Sequence, residues 1–129
     1  MRVEHVAFMM PDPPAAAAWY VVNLGLQIVR HQETDPWTHF LADDGGHVML
    51  EIYTNGEGGE MLDYRAMDPL VLHLAFISED MQADRNRLLA AGATAVGDIA
   101  VTPAGDHLAM VRDPWGFCIQ LAQRAEPMI

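Results

Sequence analysis

With 129 residues, 51% of them hydrophobic, the chain can bury one sizeable core but is short for two independent globular domains. Eighteen Asp and Glu against seven Lys and Arg give a formal charge of −11, a field that repels phosphates and excludes nucleic acid as an expected partner. No stretch approaches the roughly 20 apolar residues that span a bilayer, and no charged start leads into an apolar run and cleavage site, so a soluble, cytoplasmic protein with no membrane contact is expected.

The first strand is expected at about residues 3–9. Asp12 then stands where an N-cap belongs, Pro13 takes the first helical position, and an alanine-rich run leads through Trp19 and Val22 to Asn23-Leu24-Gly25. Strands follow at about 26–31, 38–43 and 47–54, separated by Glu33-Thr34-Asp35-Pro36 and by the hairpin signal Asp43-Asp44-Gly45-Gly46. Residues 55–69, glycine-rich and acidic, read as an exposed linker. The second half repeats the order, with a strand at about 70–78, a helix at 81–91 ended by Gly92, and strands near 96–102, 107–112 and 117–124. Asp113-Pro114-Trp115-Gly116 makes the last tight turn. The single cysteine, Cys118, has no partner for an internal disulfide and reads as a small apolar core residue. The expected architecture is α+β: one domain of two βαβββ modules, 1–54 and 70–129, joined by the linker.

The two halves share more than their order. Glu4-His5-Val6-Ala7-Phe8 matches Leu72-His73-Leu74-Ala75-Phe76, and Val48-Met49-Leu50-Glu51-Ile52-Tyr53 matches Phe117-Cys118-Ile119-Gln120-Leu121-Ala122. His5 stands 46 positions before Glu51, and His73 stands 47 before Gln120. By the period of two along a strand, Glu4, Val6, Phe8, Leu50, Ile52, Leu74, Phe76, Ile119 and Leu121 share the face that packs under helices. The opposite face carries His5, Glu51, His73 and Gln120 among apolar residues. Four polar groups there each carry a desolvation cost unless they are paired with one another, with a ligand or with a metal. A lone half-buried histidine is more often structural than a ligand, but equivalent histidines in two repeats favour a metal. The competing reading is a metal-free cluster in which Glu51 and Gln120 hydrogen-bond the imidazoles.

The paired modules, the His-X-Ala-Phe strand openings, the helix end Leu88-Leu89-Ala90-Ala91-Gly92-Ala93, and the close Asp113-Pro114-Trp115-Gly116-Phe117-Cys118-Ile119-Gln120-Leu121 resemble the vicinal oxygen chelate superfamily. That superfamily includes glyoxalase I, methylmalonyl-CoA epimerase, extradiol dioxygenases, fosfomycin-resistance enzymes and bleomycin-resistance proteins. The resemblance covers essentially the whole chain. It implies a glyoxalase-like fold with a cup-shaped mixed sheet and flanking helices, a homodimer, and a divalent metal (nickel, cobalt, zinc, manganese or iron) held by His5, Glu51, His73 and Gln120. Gln120 departs from the pattern, because the family's isomerising members carry at this position a glutamate that moves protons, and an amide cannot. Glu51 is then the expected catalytic base.

The resemblance fixes fold better than reaction. The leading expectation is a lyase or isomerase of the glyoxalase type, acting on a small substrate that chelates the metal through adjacent oxygens. An iron-dependent dioxygenase ranks lower, because family dioxygenases take their carboxylate from the second module. A different class is a metal-free binding module resembling bleomycin-resistance proteins, in which an acidic, aromatic-lined cleft sequesters a cationic compound. Tyr53 and Met49 flank Glu51 and are pocket candidates. Trp37, His39, His107, Arg112 and Trp115 join them at strand ends and turns, with packing as the competing role for each.

Overall fold

The computed structural model describes residues 1–56 and 59–128; positions 57 and 58 of the expected linker, and Ile129, lie outside the described residues. The chain divides into two compact units, Met1–Leu62 and Asp63–Ile129.

The first unit runs β1 (His5–Met9), α1 (Pro13–Leu24), β2 (Gln27–His31), β3 (His39–Ala42) and β4 (Met49–Tyr53). Its sheet has the order β1-β4-β3-β2, with β1 parallel to β4 and the other pairs antiparallel. Helix α1 starts where the sequence places it: Asp12 Oδ1 accepts the Ala15 N–H at 3.1 Å, and prolines occupy the opening positions, where no helical N–H is needed. Pro13, Ala16, Ala17 and Tyr20 are its buried residues, at the i, i+3, i+4, i+7 spacing of one helix face. Phe8, Leu41 and Ile52 are buried and share one sheet face by register. Burying each of the fully enclosed Leu41 and Ile52 side chains contributes about 1.5–3 kcal/mol.

The second unit runs β5 (Leu74–Ile77), α2 (Met81–Ala90), β6 (Thr94–Val101), β7 (His107–Arg112) and β8 (Cys118–Gln123), in the order β5-β8-β7-β6. Asp80 caps α2 by accepting the Ala83 N–H at 3.0 Å, and Leu88, Val111, Phe117 and Ile119 form a core beneath it. The fold is α+β, each unit a four-stranded mixed sheet with one helix.

Two stretches differ from expectation. Strand β5 begins at Leu74 instead of about residue 70, because Asp68 turns the chain first: its carboxylate accepts the Leu70 N–H at 2.9 Å and its carbonyl the Val71 N–H at 3.0 Å. Near the end of the expected linker, which is exposed at most of its described positions, Tyr64 is packed down. Tyr64 is buried edge-on against Phe117, with ring centroids 4.9 Å apart, and the Arg112 guanidinium donates to the carbonyls of Tyr64 (2.6 Å), Met67 (2.5 Å) and Gly116 (2.9 Å). Gly116 makes room for this segment. With φ at 95°, it is a residue whose added Cβ would lie 2.3 Å from Arg65 Cγ.

Candidate functional site

The repeat seen in the sequence persists in the register. Glu51 pairs across the sheet with Ala7, and Gln120 pairs with Ala75; in each case the partner is the alanine two residues past the histidine. Alternation then puts His5, Ala7, Met49, Glu51 and Tyr53 on one face of the first sheet, joined by Phe40 from β3.

His5 and Glu51 meet on that face. His5 Nε2 lies 3.2 Å from Glu51 Oε2, and the edge of the imidazole meets Phe40 with ring centroids 5.8 Å apart. The other ring nitrogen, Nδ1, is hydrogen-bonded to the carboxylate of Glu4. Simple alternation assigned Glu4 to the apolar face, but it stands ahead of β1, outside the sheet's strict alternation, and turns toward its neighbour. Its hydrogen bond holds the His5 imidazolium above its ordinary pKa, against the effect of burial, and the negative charges of Glu4 and Glu51 add to the rise.

In the second unit His73 stands one residue ahead of β5, and its Nδ1 donates to the Pro69 carbonyl at 2.9 Å. The same turn that delays β5 therefore anchors the ring through Nδ1, which makes Nε2 the nitrogen that would meet a ligand. Gln120 is half-buried on β8, and its side-chain amide makes no hydrogen bond among the described residues. A histidine whose Nδ1 is anchored by a carboxylate or carbonyl is the usual arrangement for a metal ligand binding through Nε2. Both histidines have it. Neither Glu4 nor Pro69 was singled out from the sequence, since orienting contacts of this kind carry no spacing signal.

The donor chemistry suits a divalent ion: two imidazoles, one carboxylate and one amide oxygen. Two donors about 2.1 Å from one ion, at tetrahedral or octahedral angles, are about 3.0–3.4 Å apart. The His5–Glu51 separation of 3.2 Å falls in that range. Among the described residues no group of three or more His, Cys, Asp and Glu side chains is gathered for a metal, so each unit by itself supplies only two of the four donors.

The remaining candidates are dispersed. Tyr53 and Met49 are half-buried on the Glu51 face. A cavity of about 480 Å³ at the opening of β1 is lined by Glu4 and Met49 together with Arg2, Gln27, Val29 and His47, beside the His5 pair. His39 pairs with Ile52 and faces away from Glu51, buried and stacked on His31 with Nδ1 2.7 Å from the Trp37 carbonyl oxygen. His107 pairs with Gln123 and lies on the Ile119 side of the second sheet, opposite to Gln120. Arg112 shares the Gln120 face, but its guanidinium is committed to three carbonyls. Trp115 is half-buried in the β7–β8 turn, its backbone N–H donated to Asp113. Trp37 is exposed at the lip of a separate cleft.

Fold and site together define a duplicated βαβββ scaffold with one histidine and one oxygen donor placed alike in each half. Residues 2–121 match the Glyoxalase/Bleomycin resistance protein/Dioxygenase superfamily, and the chain belongs to that superfamily. It is similar to an ethylmalonyl-CoA/methylmalonyl-CoA epimerase of Cereibacter sphaeroides, 32% identical over 100 residues, which are 74% of this chain and 75% of the relative. Among solved structures, a glyoxalase family protein from Bacillus cereus superposes with a TM-score of 0.82 at 18% identity, covering 95% of this chain and 93% of the other. TnmS3, an antibiotic binding protein from Streptomyces sp. CB03234, superposes at 0.71 with 25% identity, covering 97% of both chains.

Proposed function

We propose that the protein is a metal-dependent isomerase or lyase of the glyoxalase type, with a divalent ion held by His5, Glu51, His73 and Gln120 and a small substrate presenting adjacent oxygens. The observation that carries this reading is the His5 Nε2 to Glu51 Oε2 separation of 3.2 Å, with the other nitrogen of the same ring tied back to Glu4. The likeness to an epimerase supports the isomerase class. Bound there, a divalent ion would supply Lewis acidity toward the substrate's oxygens, and with one carboxylate among its four ligands it would keep one net positive charge.

The chain's own residues do the rest. Glu51 takes the proton from the carbon next to the substrate carbonyl and returns it, while Gln120 cannot accept one at any ordinary pH. A single base working from one face favours proton exchange, or a shift to a neighbouring atom on that face, over the two-sided exchange that inverts a carbon centre. Metal binding displaces the contact between Glu51 and a protonated His5, so the metal-bound form has His5 neutral. Exposed Val6, Ile28 and Val29 in the first unit and Ile77 and Val101 in the second support a homodimer, whose formation would cover apolar area that soluble monomers seldom leave open.

The test is solvent deuterium exchange into methylmalonyl-CoA and into a hemithioacetal, after loading with nickel, cobalt, zinc or manganese. Exchange faster than inversion is expected of the wild type, none of Glu51→Gln, and faster inversion of Gln120→Glu. Exchange undiminished in Glu51→Gln would remove that residue from the chemistry. A second reading, a metal-free binder of a small molecule, is favoured by the self-satisfied His5–Glu51 pair and by the likeness to TnmS3. It predicts no exchange with any metal.

A further inference from the structure

The chain has no lysine; its seven strong cations are all arginines, and five of them are held by the protein itself. Arg65, Arg85 and Arg112 donate to backbone carbonyls, and Arg87 and Arg124 donate to the carboxylates of Asp84 and Asp106. Arg2, ahead of β1, and Arg30, inside β2, make no such bond among the described residues. In a chain with eighteen acidic side chains, Arg30 is a guanidinium left unpaired within a strand.

A β-bulge decides where Arg30 points. Ile28 pairs with Leu41 and Arg30 with Phe40, so Val29 is an extra residue with no partner of its own on β3. Without the bulge, alternation would set Val29 opposite Phe40 and turn Arg30 to the helix side, opposite the buried His39. With it, Arg30 shares the face of Phe40, and Phe40 pairs with Glu51. The stacking of His31 on His39, the next pair along, fits the register beyond the bulge. Val29 itself lines the cavity of about 480 Å³ together with Ala42 and Met49, which belong to the Glu51 face. A charge that only guarded an edge strand against pairing would serve on either face and would need no bulge.

Glu51, Phe40 and Arg30 therefore stand side by side on three neighbouring strands, β4, β3 and β2. At about 4.8 Å per strand, the backbone positions of Glu51 and Arg30 are roughly 10 Å apart. Among the described residues no ion pair joins their side chains. Phe40 occupies the middle, its ring already edge-on to the His5 imidazole. The face thus has oxygen and nitrogen donors for a metal at one end, an apolar floor, and a guanidinium at the other end. An arginine offers two parallel N–H donors that match the two oxygens of a carboxylate. Because the net charge of the chain repels anions, an anionic group is accepted on this face only where such a cation meets it.

We propose that Arg30 is a specificity-determining residue that selects an acidic substrate: a carboxylate at the far end of the molecule pairs with the guanidinium, a short apolar chain crosses Phe40, and the adjacent oxygens lie at the His5–Glu51 end. The guanidinium stays protonated throughout, so it binds and orients without moving a proton. The proposal rests on the metal-dependent reading of the His5–Glu51 site and names the class of substrate that site takes.

The test titrates the zinc-loaded full chain by calorimetry with 2-oxoadipate and with 2-oxohexanoate, which share chain length and a chelating 2-oxo acid head and differ only in the terminal carboxylate. The wild type is expected to prefer 2-oxoadipate about tenfold. Arg30→Gln should abolish that preference while leaving the affinity for 2-oxohexanoate unchanged, and Arg30→Lys should keep only part of it, since an ammonium has the charge without the fork. By NMR, the Arg30 Nε–H cross-peak, identified by its loss in Arg30→Lys, should shift saturably with 2-oxoadipate and not with 2-oxohexanoate. Arg30 is exposed, and circular dichroism of both variants checks that the fold is kept. Zinc content is measured on the same samples. Zinc uptake with equal affinity for the two acids, with a preference that survives in Arg30→Gln, or with binding of neither acid would overturn this proposal and leave the metal site standing. Protein that takes up no zinc would remove the metal-dependent reading and this proposal with it.

Discussion

Replacing Asp113 by alanine tests how the chain places Gln120. The Asp113 side chain is fully buried in the turn before β8, and its Oδ1 accepts the N–H groups of Trp115 and Phe117, each at 2.9 Å. Hydrogen bonds to a charged acceptor contribute about 1.5–3 kcal/mol each. The Phe117 N–H loses its acceptor inside the core, whereas the half-exposed turn at Trp115 lets water replace part of the loss. Asp113→Ala is therefore expected to cost about 3 kcal/mol. With a urea m-value of about 2 kcal/mol/M, the midpoint should fall by about 1.5 M. Asp113→Asn keeps an oxygen at the same place and should cost only about 1 kcal/mol. Urea unfolding followed by circular dichroism measures both. The consequence reaches the site, because a one-residue slip of β8 would carry Gln120 to the face of Ile119 and Leu121. A cost below about 1 kcal/mol for Asp113→Ala, or equal costs for the two variants, would refute the assignment of the turn to that oxygen.

Three further outcomes are expected. Glu4→Gln removes the main cause of the raised His5 pKa, so the imidazole should titrate at lower pH by NMR. The Glu4–His5 contact stabilises the fold fully below the ordinary histidine pKa and loses that effect as pH rises through the raised value; metal uptake, which needs neutral His5, should accordingly begin at lower pH in the variant. Arg112→Met releases the carbonyls of Tyr64 and Met67, and trypsin should cleave after Arg65 about tenfold faster as the segment opens. Light scattering at low micromolar concentration should give the mass of a dimer, and a clean monomer mass would contradict the homodimer.

Much of the fold was legible because its signals are local. Asp12 and Asp80 with the residues after them mark helix starts by side-chain chemistry alone, and the apolar positions of β4 and β8 alternate as strands must. Tyr64 and Met67 are held by long-range contacts from Arg112 and Phe117 that no local pattern reveals, whereas the late start of β5 comes from the local turn at Asp68. At the site, spacing was enough to pair His5 with Glu51, because register preserves a repeat. It could not find Glu4 or the Pro69 carbonyl as orienting partners, since both depend on where a strand begins. His39 and His107, pocket candidates by their place at strand ends, lie on the faces away from Glu51 and Gln120 in the observed pairing.

The proposed site would hold one divalent ion per chain through His5, Glu51, His73 and Gln120. Metal analysis of protein purified without chelators, and of apoprotein after dialysis against each candidate ion, tests it most directly. About one ion per chain is expected for the wild type, little in His5→Ala or His73→Ala, and weakened retention in Glu51→Gln. Metal-free wild-type protein that takes up no ion, or full occupancy in both histidine variants, would contradict it.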